Sequence, residues 1–278
     1  MLSKIKRCFK KICPRFLLNG AVVIVKKARM IRARAIMFLN PKKGIWYCPC
    51  CGYRFQAFVS GDYTQRQNRF NVSRYQKTKQ DVLCPVCKSL PRHRILASWC
   101  NKYTELFKRS KVLYFAPEYS MTLWMKRNGI TCTTADLYAR ADLKLDIQST
   151  GLPEASYDIV IANHVLEHVD DFRAALKEMY RILIPGGSFI CSFPMDPKVE
   201  LIDEAEKPLS EEERLRRFGQ NDHKRVFGMK ADQFLSDAGF DVEKIEGDDY
   251  PEEILPIVGP ADYDMNTLFC CRKEMGMN

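Results

Sequence analysis

The sequence predicts an α/β fold: a doubly wound, mostly parallel, seven-stranded sheet preceded by a small cysteine-rich unit and a basic N-terminal arm. Three observations predict it. From Lys111 onward, short apolar strands alternate with amphipathic helices over short connections. Ahead of them stand two Cys-Pro-x-Cys pairs, Cys48–Cys51 and Cys84–Cys87. Charge is also segregated: residues 1–61 carry fourteen Lys/Arg and no Asp/Glu, residues 62–109 eleven basic and three acidic residues, and residues 110–278 nineteen basic and thirty-one acidic. Two differently charged parts in one chain of 278 residues imply two tasks, and a basic part favours an anionic partner. With 46% apolar and 28% charged residues the composition is globular, which excludes long disorder, collagen-like repeats and coiled coil. No apolar run reaches 18 residues, so no transmembrane span is expected.

Residues 1–43 form the arm. Ile24, Ala28, Ile31, Ala35 and Phe38 fall at helical spacing among Lys27, Arg29, Arg32 and Arg34, which suits an anionic membrane surface or a solvated helix. The apolar run 16–25 mimics part of a signal peptide, but KKARMIRARA follows it without a small-residue cleavage site. The expected location is therefore cytoplasmic, peripheral at the inner membrane surface if the arm meets lipid. Residues 44–100 are the cysteine-rich unit, and residues 105–278 carry the sheet. Strands are expected at 112–115, 130–136, 142–147 (the weakest), 157–163, 188–193, 240–245 and 267–271. A helix at 121–128 stops at Gly129. Another is capped by Asp170 or Asp171 and buries Phe172, Ala175, Leu176, Met179, Ile182 and Leu183 until Pro185-Gly-Gly187 breaks it. Ser210 with Glu213 forms a capping box for a short helix ended by Gly219, and a last helix runs over 230–238.

Cys48, Cys51, Cys84 and Cys87 are read as four thiolate ligands of one structural Zn²⁺. Each pair has two-residue spacing, Pro stiffens each turn, and Gly52 permits the tight backbone that aims two sulfurs at one ion. Cys50 is an alternative ligand at the wrong spacing. Twelve Cys in a chain with ample core-forming residues point to metal binding in a reducing compartment before disulfides. The Ser89-Leu-Pro-Arg92-His93-Arg94 run that follows suits either phosphate or local salt bridges.

In a doubly wound sheet ligands lie beyond the carboxyl ends of the strands. Those ends offer Ala116, Glu118 and Ser120, then Asp136, Asp146, and Asn163 with His164. Together with YDIVIANHVLEHV and ILIPGGSFICSFP, this set resembles the class I S-adenosylmethionine-dependent methyltransferases (a Rossmann-like fold) from about Lys111 to Lys273. With CPVCKSLPRHR ahead of it, the chain further resembles bacterial methyltransferases with an N-terminal zinc ribbon. The resemblance implies S-adenosylmethionine as cofactor, with Asp136 on its ribose, Asp146 near adenine, and Asn163 and His164 at the methionine end. The family's glycine-rich loop is altered here. Its acid is Tyr114, and its glycines are Ala116, Glu118 and Ser120, of which Glu118 could take the cofactor's ammonium.

His164-Val-Leu-Glu167-His168 also matches a zinc-peptidase signature, but that signature needs a helix, and here an apolar strand ends immediately before it. In the methyltransferase reading Glu167 and His168 are structural. The expected general base is His223, oriented by Asp222 in the charged insertion after the fifth strand, with Arg225 anchoring an acidic group of the acceptor. The sequence thus reads as a methyltransferase acting on a small-molecule or saccharide acceptor at oxygen. The alternatives are an RNA methyltransferase whose basic residues 1–61 hold the RNA, and a non-catalytic partner-binding protein on a degenerate methyltransferase fold.

Overall fold

The computed structural model describes residues 45–60, 81–254 and 266–275. The basic arm over 1–43 lies outside the described residues, and with it most of the stretch expected to meet a membrane or RNA. Among the described residues, no helix is long and apolar enough to cross a membrane.

Two small antiparallel hairpins come first. β1 (Trp46–Cys48) pairs with β2 (Tyr53–Phe55), and β3 (Val59–Ser60) with β4 (Asp81–Leu83). Helices α1 (Pro91–Asn101) and α2 (Thr104–Arg109) follow. The main sheet then winds in the order β13-β14-β9-β8-β5-β6-β7. Its strands are β5 (Val112–Phe115), β6 (Cys132–Asp136), β7 (Leu143–Lys144), β8 (Tyr157–Asn163), β9 (Leu183–Ser192), β13 (Phe240–Ile245) and β14 (Leu268–Lys273). The first five run parallel, while β14 is antiparallel to both β9 and β13. The expected seven-stranded, doubly wound, mostly parallel sheet is therefore present. The chain leaves β5 toward β6 and β7 and returns to β8 on its other side, so the topological switch point lies between β5 and β8.

Burial on both faces explains the apolar strands. Val112, Tyr114, Ile159, Ile161, Ile190, Leu268 and Cys270 face one cluster, while Leu113, Phe115, Val160, Ala162, Phe189, Cys191, Phe269 and Cys271 face the other. The first cluster also contains Leu96, Trp99 and Cys100 of α1, Trp124 of α3 (Tyr119–Arg127), and the cysteines of the first hairpins. The cysteine-rich unit and the sheet thus share one core. The second cluster is sealed by α4 (Phe172–Ile182), which buries Phe172, Ala175, Leu176, Met179 and Ile182. Asp171 caps it by accepting from the Ala174 amide at 3.0 Å.

Two strand expectations need correction. The third strand shrinks to Leu143–Lys144, because Asp146 turns back to accept from the amide of Gln148. The fifth begins at Leu183, five residues early. Pro185-Gly-Gly187 sits inside it, where the register against β8 shifts between Tyr157 and Ile159. The charged insertion holds a small sheet that the pattern did not reveal: β11 (Ile202–Glu204) and β10 (Met195–Asp196) flank β12 (Arg225–Gly228). α5 (Glu211–Phe218) carries the expected Ser210–Glu213 box and ends at Gly219 in the left-handed region, and α6 (Asp232–Asp237) is the short last helix.

Candidate functional site

The two cysteine pairs fold into matched knuckles. Gly52 follows Cys51 at φ 75° and donates its amide to the Cys48 carbonyl at 2.7 Å; Lys88 follows Cys87 at φ 59° and donates to the Cys84 carbonyl at 2.9 Å. A methyl group on Gly52 would overlap the Arg127 guanidinium, whose Nη1 donates to the Cys50 carbonyl at 3.1 Å. Sγ of Cys48 and Cys87 lie 3.6 Å apart, those of Cys51 and Cys84 3.7 Å apart, and all four within 4.8 Å of one another. A tetrahedron with metal–sulfur bonds of about 2.3 Å has edges of about 3.8 Å, so the donor set fits one zinc ion. Cys50 is not part of it, because its thiol donates to the His93 carbonyl at 3.3 Å. Buried Arg94 stands beside the set with its guanidinium on the carbonyls of Ser89 (2.7 Å), Val82 (3.0 Å) and Ile254 (2.5 Å). Its charge opposes that of four thiolates. The remaining described cysteines, Cys100, Cys191, Cys270 and Cys271, are buried in the core, and Cys132 is half-buried.

At the carboxyl end of β5 the altered loop is held by substitutes. Ala116 occupies the left-handed region at φ 47°, the conformation for which glycine is favoured. Tyr114 accepts from the Glu118 amide with its hydroxyl at 3.2 Å and fixes the turn into α3. Replacing Ala116 by Gly should leave the fold intact and raise its stability by about 0.5–1 kcal/mol, as relief of left-handed strain exceeds the added chain entropy. Thermal unfolding checks this, and a lowered midpoint would show that the methyl packs better than it strains.

Glu118 is held from α1. His93 accepts the Leu90 amide on Nδ1 at 3.1 Å, which leaves Nε2 to donate to Glu118 Oε1 at 2.5 Å. Arg92 donates to the same oxygen at 2.8 Å. Arg92 and His93 of the SLPRHR run thus form salt-bridge contacts with a loop some twenty-five residues downstream. Burial pushes the Glu118 carboxyl up, but the His93 hydrogen bond and the charges of His93 and Arg92 outweigh this and hold its pKa at about 2. Burial also lowers the His93 pKa, against the raising effect of its hydrogen bond to Glu118. A carboxyl depressed from 4.5 to about 2 contributes stability above the unfolded value and loses it as pH falls toward 2, worth about 3 kcal/mol. Wild-type protein should therefore lose about 3 kcal/mol more than Glu118→Gln between pH 5 and 2. Parallel pH profiles would contradict this.

Among the described residues, three buried polar atoms at these strand ends have no hydrogen-bond partner: Glu118 Oε2, Ser120 Oγ and His164 Nε2. Asn163 is buried beside them and accepts from Ser192 Oγ at 3.2 Å. His164 takes φ 52° immediately after β8. Asp136 ends β6, where its Oδ1 accepts from the amides of Tyr138 (2.7 Å) and Ala139 (2.6 Å). Asp146 lies farther along the edge, with both oxygens bonded to the Gln148 side chain at 3.0 and 3.1 Å.

The acceptor-side expectations need the largest correction. Asp222 does not orient His223: it is 64% exposed and lies 3.5 Å from Nδ1 of His168. His223 is 1% exposed, and burial lowers its pKa to about 4, so it is not displayed on a loop facing an acceptor. Arg225 cannot anchor an acceptor. At 1% exposure its Nε donates to Glu204 (2.6 Å), its Nη1 to the carbonyls of Leu166 (2.8 Å) and Val169 (2.6 Å), and its Nη2 to that of Asp170 (2.8 Å). It clamps the segment after β8 to β12. The sequence did not reveal that Glu167, His168 and His223 come together, nor that Arg92 and His93 hold Glu118.

Residues 119–191 match the model of a family described as methyltransferase domain. A Mycolicibacterium smegmatis protein named as an S-adenosylmethionine-dependent methyltransferase is 38% identical over 58 residues, 20% of this chain and 23% of that one. A Listeria monocytogenes demethylmenaquinone methyltransferase is 33% identical over 67 residues, 24% and 28% of the two chains. The matches thus span about a quarter of those relatives' length. Among solved structures, an S-adenosylmethionine-dependent methyltransferase from Archaeoglobus fulgidus has a TM-score of 0.44 at 14% identity, over 65% of this chain and 94% of that one. A Burkholderia thailandensis 1,6-didemethyltoxoflavin-N1-methyltransferase, solved with S-adenosylhomocysteine, has a TM-score of 0.43 at 16% identity, over 65% and 78%.

Proposed function

We infer that this chain, whose sheet-bearing part is a class I S-adenosylmethionine-dependent methyltransferase domain, transfers the methyl group of that cofactor to an oxygen of a small-molecule or saccharide acceptor. The observation that carries the reading is the convergence of partnerless buried atoms, Glu118 Oε2, Ser120 Oγ and His164 Nε2, at the carboxyl ends flanking the switch point. Glu118 Oε2 would receive the cofactor's ammonium, and Asp136 the ribose hydroxyls. Ala116 would give close backbone approach, Asp146 would lie toward adenine, and Asn163 and His164 at the methionine end. Bound there, the cofactor supplies an electrophilic methyl group on sulfur. The chain's share is alignment, with α1 holding Glu118 and β8 ending in a fixed turn at His164. Zinc at Cys48, Cys51, Cys84 and Cys87 would be structural, since four thiolates leave no open position.

Labelled S-adenosylmethionine tests the reading against panels of hydroxylated small molecules, saccharides and RNA. Label on a small hydroxylated acceptor supports it. Label transferred to RNA alone, with a steep loss of binding in salt, would instead favour the basic region as an RNA clamp. Cofactor binding with no acceptor in any panel would favour a partner-binding role.

A further inference from the structure

The HVLEH segment is not a peptidase helix, yet its polar residues converge with one from far along the chain. One ligand atom each from Glu167, His168 and His223 lie within 4.8 Å of one another. Local structure explains the meeting. A turn closed by the His168 amide on the Val165 carbonyl (3.0 Å) follows β8, and Lys224 donates its amide to the Glu167 carbonyl at 2.8 Å. Arg225 then bonds three carbonyls of residues 166–170, locking the His223 segment against that turn.

The group is poorly satisfied as protein alone. Glu167 is fully buried, and among the described residues its Oε1 faces one imidazole while its Oε2 receives no hydrogen bond. That imidazole is His164, whose Nδ1 stands 3.1 Å from Oε1. Nδ1 of buried His223 is equally without a partner. A buried carboxylate with one oxygen unpaired is costly, so a cation shared with the neighbouring imidazoles is a natural complement. His168 is prepared as a ligand. Asp222 stands 3.5 Å from its Nδ1, a carboxylate beside the ring of the kind that orients metal-binding imidazoles, and Nε2 would be the ligand atom.

The geometry points to a second metal site, in which Glu167, His168 and His223 bind one divalent transition ion and leave coordination positions open to an oxygen donor. Two imidazoles and one carboxylate suit Zn²⁺, Mn²⁺, Fe²⁺ or Co²⁺, and three protein ligands do not close the shell. Metal bonds near 2.1 Å bring donors closer than 4.8 Å, so small side-chain rotations complete the site. His164, whose Nδ1 lies 3.1 Å from Glu167 Oε1, follows β8 directly, so the site adjoins a strand end assigned to the cofactor. That the oxygen donor is the acceptor's hydroxyl rests on the methyltransferase reading; the metal site does not.

Mn²⁺ titration of the full zinc-loaded chain, followed by electron paramagnetic resonance, tests the site without cofactor or acceptor. Mn²⁺ avoids thiolates, so the cysteine site does not compete. One Mn²⁺ should bind per chain. His168→Ala, at a position 34% exposed and therefore tolerant, should weaken binding at least tenfold, and Glu167→Gln should do the same, with the fold checked by circular dichroism. With Co²⁺ in place of Mn²⁺, the oxygen chelator acetohydroxamate should shift the visible ligand-field bands. No binding by the wild type, or equal affinity in folded His168→Ala, would overturn the site. An unmoved cobalt spectrum would overturn its open positions. Either failure leaves the methyl-transfer assay untouched, and failure of that assay leaves the metal titration untouched.

Discussion

Replacing Cys84 by Ser is expected to abolish zinc binding at the knuckles and to unfold the hairpins β1–β4. Structural zinc contributes folding free energy of order 10–16 kcal/mol in small thiolate sites, and this unit has little else: two- and three-residue strands and a few aromatic contacts. The shared core carries the damage further. Leu96, Trp99 and Cys100 pack in one cluster with Trp124, Ile159 and Ile190, so the sheet's own unfolding midpoint should fall. Cobalt substitution reads the result cleanly: wild type should show sulfur-to-cobalt charge-transfer absorption, and Cys84→Ser should lose it. Retention of that band in the variant would remove Cys84 from the ligand set.

Arg225→Leu is expected to destabilise the protein by about 3 kcal/mol or more, because it strips a buried guanidinium from Glu204 and from the carbonyls of Leu166, Val169 and Asp170. For a domain of this size that is a fall of roughly 6–12 °C in midpoint. An acceptor-binding arginine would behave otherwise, with an unchanged midpoint and a raised KM. An unchanged midpoint would therefore contradict the clamp.

The contrast between Arg225 and the strands shows which parts of the fold were legible. Strands such as 157–163 announced themselves through continuous apolar residues, and the caps at Asp171 and Ser210 through side chains that bond their own neighbours. The cysteine pairs were legible because both knuckles are local turns. The acceptor side was not, because it is built from contacts between distant segments. Asp222 and His223 are adjacent in sequence, but the turn that ends at Asp222 leaves it exposed while the chain leading into β12 has His223 buried, Lys224 half-buried and Arg225 buried. Only the docking of that segment on residues 164–170 decides that Asp222 meets His168 and that His223 meets Glu167. Glu118 was legible as a loop carboxylate, whereas its partners Arg92 and His93 lie some twenty-five residues upstream, on a helix whose packing no local pattern fixes.

Calorimetry with S-adenosylmethionine tests the central claim most directly, namely that the cofactor sits beyond the ends of β5, β6 and β8. The wild type should bind one cofactor per chain. Asp136→Ala, which removes the carboxylate at the end of β6, should weaken binding by about 1.5–3 kcal/mol, or roughly 10–150-fold, with the fold intact. No heat of binding in the wild type, or the same affinity in the folded variant, would contradict the account.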